Sequence, residues 1–393
     1  MSKIIVDTIE STGTTVTVND GLASGAINAG TNAITAGSVT GLTATSITSG
    51  TLGAAVKVGN PSLGQGRNIL INGNMCVYQR SNSVSSISTS GYKTLDRWHL
   101  DISSLGTWTQ TFESTGGPTS FPNSLKMECT SADASPAASD YLIIQQRLEG
   151  NDVQGLKKGS TDALQATLSF WVKSDETGTY TVELYDNDNT RFVGATYSIS
   201  TAATWEYKTI TFPADTTGAL GADANYSLGV HFWLAAGSDY TGGTFSTTWN
   251  TTQGNRVSST QVNLAAATSN YWQVTGVQLE VGAEATDYER ESYAKTIEKC
   301  FRYFWKSYNT TVNPGTAASS GLRRSNSNGS GHFVCSITFP YPMRATPTST
   351  TYTSTGTSST WSSGYSGNHG INVTLSSGAN TTDGCQVQCD AEL

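Results

Sequence analysis

The sequence predicts a mostly β chain: an antiparallel two-sheet sandwich, preceded by a thin N-terminal stalk and followed by one short helix and a smaller β-region. Three observations predict it. Many segments alternate apolar and polar residues with period two, as half-buried strands do. Clusters of Gly, Asp, Asn and Thr separate these segments as turns. Charged residues make up only 13% of the 393, against a usual fraction of about 25%, while Gly (40), Trp (9) and Tyr (17) are plentiful. This is the composition of sandwiches and elongated fibrous β-structure, not of a helical enzyme. At 36% apolar, part of the chain is expected to bury surface only against copies of itself.

Residues 1–60 are poor in charge and aromatics. IIVDTIESTGTTVTVND reads as two short strands around a Ser-Thr-Gly turn. Beyond it Leu22, Ile27, Ile34, Val39, Leu42, Ile47, Leu52 and Val56 recur at short, irregular intervals among Gly, Ala, Ser and Thr. Disorder fits this composition. A single chain of this kind buries too little apolar surface to offset its ordering entropy. Three chains wound about one axis escape that limit, so the segment is read as a trimeric β stalk and tail attachment. A Pro/Gly linker, VGNPSLGQG, ends it.

The sandwich is assigned to 61–289. Leu168, Phe170 and Val172 share one face of TLSFWVKS; Val182 and Leu184 share one face of YTVELYD. Ile210 and Phe212 follow in KTITF, and Leu228, Val230, Phe232 and Leu234 in SLGVHFWLAA. About eight to ten such strands without intervening helices point to two packed antiparallel sheets. In the closing strand, Trp272 and Val274 lie on even positions but Val277, Leu279 and Val281 on odd ones. That change of parity at Thr275-Gly276 predicts a β-bulge.

From Tyr288 the period shifts to that of a helix, assigned to 290–307. Tyr293, Ile297, Cys300, Phe301 and Phe304 fall on one face. Glu289 and Glu291 stand at its start and Lys299, Arg302 and Lys306 towards its end, as the helix dipole favours. The β-regions on either side have their own alternating cores. Ile297, Phe301 and Phe304 are therefore assigned to a trimer or domain interface. Residues 308–393 form the last region, a small β-domain taken as the receptor-facing tip. HFVCSITFPYP, NVTLSS and CQVQCDAEL read as its strands, with Pro340, Pro342 and Pro347 interrupting regular pairing.

Net charge is −8 and no basic stripe occurs, which argues against nucleic acid. No apolar run approaches a membrane span. MSKIIVDTIE does not read as a signal peptide, so synthesis and assembly in a bacterial cytoplasm are expected. The sequons at Asn225, Asn250, Asn309 and Asn372 are then chance matches. The six cysteines read as core residues. Cys385 and Cys389, on one strand, would stand about 13 Å apart, too far for a disulfide or a shared metal.

NILINGNMCVYQR (68–80), LDRWHL (95–100), SFWVKS (169–174), WEYKTITFPADT (205–216), VQLEVGAEATDYERESYAKTIEKCFRYF (277–304), FPYPMRATPT (339–348) and the terminal DAEL resemble a family of bacteriophage tail-fibre proteins. In that family a carbohydrate-binding-module-like jelly-roll precedes a helix and a small C-terminal β-domain. The resemblance implies a homotrimeric virion protein of the phage tail that contacts host-surface glycans. Residues 1–60 would join a tail adaptor or nozzle protein. It supplies no ligand-contact residues. The composition also resembles fibres of marine cyanobacterial phages. The alternatives are a tailspike-type polysaccharide depolymerase and a structural adaptor that holds another fibre.

No catalytic constellation emerges: G-x-S-x-G, H-E-x-x-H and C-x-x-C are all missing. Asp186 and Asp188 in YDNDNT read either as a structural Ca²⁺ site or as a hairpin turn; no other cofactor is expected. Asp96-Arg97-Trp98 reads as a buried Trp with a structural ion pair. Trp361, Tyr365 and His369, in the Gly/Ser-rich WSSGYSGNHG, are the candidate glycan-stacking residues. Arg323 and Arg324 in the preceding loop are candidate contacts for anionic glycans.

Overall fold

The computed structural model describes residues 66–323, 333–353, 362–375 and 385–393. The stalk and attachment segment assigned to 1–60 lies outside them. Ser62–Leu393 form one compact unit.

Twelve strands make the sandwich: β1 (Ser83–Ile87), β2 (Gly91–Tyr92), β3 (His99–Ser103), β4 (Thr107–Glu113), β5 (Ser124–Ser131), β6 (Tyr141–Glu149), β7 (Ala166–Ser174), β8 (Gly178–Asp186), β9 (Arg191–Ile199), β10 (Glu206–Phe212), β11 (Tyr226–Ala236) and β12 (Tyr271–Val281). They form two six-stranded sheets, ordered β1-β4-β5-β12-β7-β10 and β2-β3-β6-β11-β8-β9. Every pairing is antiparallel. The two inner faces meet in one core. Phe232 of the second sheet packs edge-on against Phe170 of the first, centroids 5.1 Å apart, and lies 5.5 Å from Trp272. Trp98, Trp108 and Trp272 are fully buried.

The change of parity in β12 is a bulge: its register against β7 shifts between Thr275 and Gln278, and Gly276 has φ +61°. Only glycine enters that conformation freely. A Cβ there would also lie 3.1 Å from the Phe121 ring.

Two one-turn helices, α1 (Gly150–Val153) and α2 (Ser238–Thr241), sit in connections, and α3 spans Tyr293–Phe301. α3 is shorter than the periodicity predicts. Ser292 caps it, accepting from Lys295 N, and Arg302 follows as C-cap. Phe304 belongs instead to β13 (Phe304–Lys306), which pairs with β18 (Cys385–Asp390). Strand pairing of this buried aromatic run overrides the helical period. Tyr293 is 49% exposed, so the covered face is Thr296, Ile297 and Cys300. Ile297 and Cys300 pack against Val77 of the same chain, with Ile71, Cys76 and Phe301 around them. Arg302 clamps Glu149, at the end of β6, with bonds of 2.7 and 2.6 Å.

The C-terminal region begins at β13. With β14 (Phe333–Thr338), β15 (Thr348–Thr353), β16 (Ser362–Gly367), β17 (Gly370–Leu375) and β18 it forms two three-stranded sheets, β13-β18-β15 and β14-β17-β16. Trp305, Ile337, Phe339, Ile371, Val373, Cys385, Val387 and Cys389 share its core. All six cysteines are free, and burial pushes the Cys385 and Cys389 thiols up to about 12.

The segments that carry the tail-fibre resemblance hold these parts together. Asn68 Oδ1 accepts from Leu70 N at 3.0 Å and Leu279 N at 3.1 Å. Asn72 Oδ1 accepts from Cys76 N and Val77 N at 2.9 and 3.0 Å. Glu289 accepts from Asn68 N at 2.8 Å. Arg97 is buried, its guanidinium 3.4 Å from the centre of the Tyr303 ring and paired with Glu392. Trp98 is core, as its sequence context predicts, and donates to Asn72 O at 3.2 Å.

Candidate functional site

A strand that turns every second residue into the core turns the others out. On β11, burying Leu228, Val230 and Phe232 places Gly229, His231 and Trp233 on the outer face of the second sheet. Register then sets their neighbours. His231 stands between Gln145 of β6 and Glu183 of β8; Trp233 between Ile143 and Thr181; Gly229 between Arg147 and Tyr185. Asp101 of β3 extends the Ile143 row.

The connection from β11 to β12 folds back over this face. Val257 N donates to Tyr240 O at 3.1 Å, joining α2 to the loop after it. Gln261 ties that loop to the sheet: its Nε2 donates to Trp233 O at 3.0 Å and its Oε1 accepts from Thr181 N at 2.7 Å. Tyr240 and Arg256 are thereby brought onto the sheet. They close a cleft of about 250 Å³, walled by Tyr141, Tyr185, Tyr226, Trp233 and Tyr240. Tyr141, Tyr185, Tyr226 and Tyr240 are each half-buried.

The floor is an ion-paired network. Glu183 is fully buried. It accepts from Arg256 Nε at 3.2 Å and from Arg256 Nη2, and its Oε1 lies 2.9 Å from His231 Nδ1. Burial pushes the Glu183 carboxyl up, but Arg256 and His231 outweigh it and hold it below the usual carboxylate range. Burial lowers His231 below an ordinary histidine, despite the Glu183 bond. The His231 ring lies nearly parallel to Tyr185, 5.3 Å away at 21°. Its Nε2 meets the Tyr226 hydroxyl at 3.0 Å. Gly229 makes room for that bond: a Cβ there would sit 2.3 Å from the Tyr226 oxygen and 2.6 Å from His231 Nε2. The Arg256 guanidinium lies 4.7 Å from the Tyr185 ring centre and 4.9 Å from that of Trp233. Asp101 accepts from Ser90 Oγ at 2.8 Å and Gln145 Nε2 at 3.2 Å. Arg147 donates to Leu393 O at 2.8 Å.

The charges of such a floor pair with one another. The floor leaves ring surfaces, phenol hydroxyls and amides facing the cleft. That is an arrangement suited to a polyhydroxylated ligand, with rings against its C–H faces and polar atoms at its hydroxyls. A carboxylate held ionised beneath a guanidinium is poorly suited to donate a proton.

None of the described sequence-derived site residues lines this cleft. Trp361 and Arg324 lie outside the described residues, as does the side chain of Tyr365, whose backbone is in β16. His369 is exposed in the β16–β17 turn. Arg323 is exposed and its backbone bridges Cys385 on the other C-terminal sheet. Asp186 and Asp188 serve different partners. Asp186 points inward and pairs with Lys158; Asp188 Oδ2 accepts from Gly221 N at 2.8 Å. Among the described residues no group of three His, Cys, Asp or Glu is arranged to hold a metal. Ile297 is in the α3 contact, whereas Phe304 lies beneath Arg80, 3.9 Å from its guanidinium. Sequence reading missed the cleft although its signal was present: Tyr185, His231 and Trp233 are large rings on the outward positions of alternating strands.

No protein-family model matches the chain, and no curated protein matches it in sequence. Solved structures match about half of it. A bacteriophage CBA120 tailspike protein 4 enzymatically active domain matches at 12% identity and TM-score 0.29, covering 55% of this chain and 21% of that one. A carbohydrate-binding module of family 4 matches at 11% identity and TM-score 0.26, covering 53% of this chain and 97% of the module. The family 11 module of a Clostridium thermocellum cellulosomal cellulase matches at 11% and 0.26, covering 52% and 98%. At these scores the likeness carries no argument about ligand or activity. The sandwich stands on its own strand order.

Proposed function

We propose that the chain is a non-enzymatic structural protein of a bacteriophage tail fibre and that the cleft beneath Tyr240 and Arg256 holds a host-surface glycan. The observation that carries the binding reading is the cleft itself: about 250 Å³, aromatic-walled, over a floor whose buried charges already pair with one another. The tail-fibre reading rests on the sequence motifs. In it the chain is a homotrimer in the virion tail, residues 1–60 join the tail adaptor or nozzle protein, and the C-terminal β-domain faces outward. Weak saccharide sites gain strength when three act on one surface, because linked sites raise effective concentration.

The test is calorimetric titration of the purified chain with lipopolysaccharide and capsule fragments of the host. Tyr185→Ala and Tyr240→Ala are expected to weaken binding by about tenfold or more, ~1.4 kcal/mol, with no oligosaccharide released by the wild type. Unchanged affinity in both variants would remove the cleft as the binding site.

A further inference from the structure

Apart from the cleft, charge concentrates at the end of the sandwich beneath the β8–β9 hairpin. Three segments meet there: the connection following α1, the end of β8 and the stretch after β10. Their side chains are almost fully buried, Lys158 at 4%, Asp186 at 0% and Asp215 at 5% exposure. The Lys158 ammonium is surrounded by oxygen. It pairs with Asp186 Oδ2, lies 3.0 Å from Asp215 Oδ2, and donates to Gly218 O at 2.8 Å and Thr217 O at 3.3 Å.

An ammonium has three protons to give. Four oxygens from two segments converge on this one: a carboxylate oxygen of Asp186 at the end of β8, and a carboxylate and two carbonyl oxygens of the 215–218 stretch. That is the donor set of calcium, a hard cation that takes about 6–8 oxygens and fills vacant positions with water. The surroundings hold the cage in place. Asp215 is also held by Arg191, whose Nε donates at 2.9 Å to the same Oδ2 that faces Lys158 and whose Nη2 donates to Oδ1 at 3.1 Å. Asp186 accepts from Asn189 N at 3.0 Å and from Asn189 Nδ2 at 2.9 Å. Gly218 has φ +70°, and a Cβ on it would stand 3.1 Å from Lys158 Nζ. The Trp249 ring closes another side, its centre 4.5 Å from Nζ.

We propose that the Lys158 ammonium is a tethered occupant of a divalent-cation position. It makes this end of the sandwich independent of metal, and the same oxygens take Ca²⁺ once the ammonium is removed. Lys158 and Arg191 balance Asp186 and Asp215 in the native protein. Without Lys158, two buried carboxylates face Arg191 alone, and a calcium ion supplies a cation in place of the ammonium, with one more unit of positive charge.

The test uses the full chain. Wild type is expected to melt at the same temperature in chelator and in millimolar calcium. Lys158→Ala should melt lower in chelator and recover by about 3 °C or more in calcium. Lys158→Met, whose uncharged stem fills the space, should melt lower and not recover. Terbium gives an independent readout: Trp249 adjoins the cage, so Lys158→Ala should sensitise terbium emission where wild type does not. A wild type that loses stability in chelator overturns the proposal. So does failure of both Lys158→Ala and Lys158→Gly to respond to calcium, whether they stay unfolded in it or melt unchanged.

Discussion

The two sheets of the sandwich are alike on their inner faces and different on their outer ones. Inside, Leu168, Phe170 and Val172 of the first sheet meet Val182, Leu184 and Phe232 of the second in a single core. Outside, the first sheet carries a row of hydroxyls, Thr167 to Thr211 at 3.0 Å, beside a cross-strand pair, Trp171 and Tyr207, at 5.3 Å. Tyr207 is 47% exposed. The second sheet carries Glu183, His231 and Trp233 on the corresponding side, all buried. The difference comes from the β11–β12 connection. It lays Tyr240, Arg256 and Val257 over the second sheet and, with Ile143 and Trp233, makes a small apolar cluster outside the main core. Alternation alone yields a flat outer face. A concave one needs a long connection to return and cover it.

This contrast breaks most severely at Glu183. Glu183→Ala leaves Arg256 buried without its carboxylate, and His231 without its acceptor. The expected loss is about 3–5 kcal/mol, read by urea unfolding, because removing one partner strands a buried charge.

Acid acts on the same face, with a smaller effect over any one pH unit. Both histidines of the sandwich lie on it. Burial holds His99 down at about 3 and lowers His231. The unfolded chain takes up protons at these histidines near a pKa of about 6.5, which the folded chain resists. The unfolded state then binds more protons, so stability falls as pH drops below that value. The fall is at most about 1.4 kcal/mol per pH unit for each histidine, and for His99 it continues towards its folded pKa. Unfolding measured across this range checks it; a flat profile would mean that neither ring is held neutral.

The smallest effect belongs to the first sheet. Tyr207→Ala removes half of an exposed cross-strand pair and should cost about 0.2–1 kcal/mol in the same urea assay.

The core was largely legible because burial repeats every second residue, and the β12 bulge was legible because a fixed parity reports a register shift. The helix was legible in kind but not in extent. Phe304 satisfies the helical period yet, with Trp305, pairs with β18, a partner more than eighty residues away in sequence. The cleft was legible only as single outward rings, not as a site. Its residues come from β3, β6, β8, β11 and the β11–β12 connection, and only register and the returning loop bring Glu183, His231 and Arg256 together. A Gly/Ser-rich segment with aromatics, such as 361–369, draws attention because its rings have no apparent core. Tyr185 and Trp233 draw none, because a strand already accounts for them. Asp186 shows the same limit from another side: as Asp in a turn sequence it suggested a hairpin or calcium, and neither reading could contain Lys158.

The most direct measurement is saccharide affinity compared across the two faces, with Tyr240→Ala and Tyr207→Ala titrated side by side against the same host glycan. The account predicts that Tyr240→Ala loses about tenfold or more while Tyr207→Ala binds like wild type. Equal affinity in the two variants, or a loss confined to Tyr207→Ala, would contradict it.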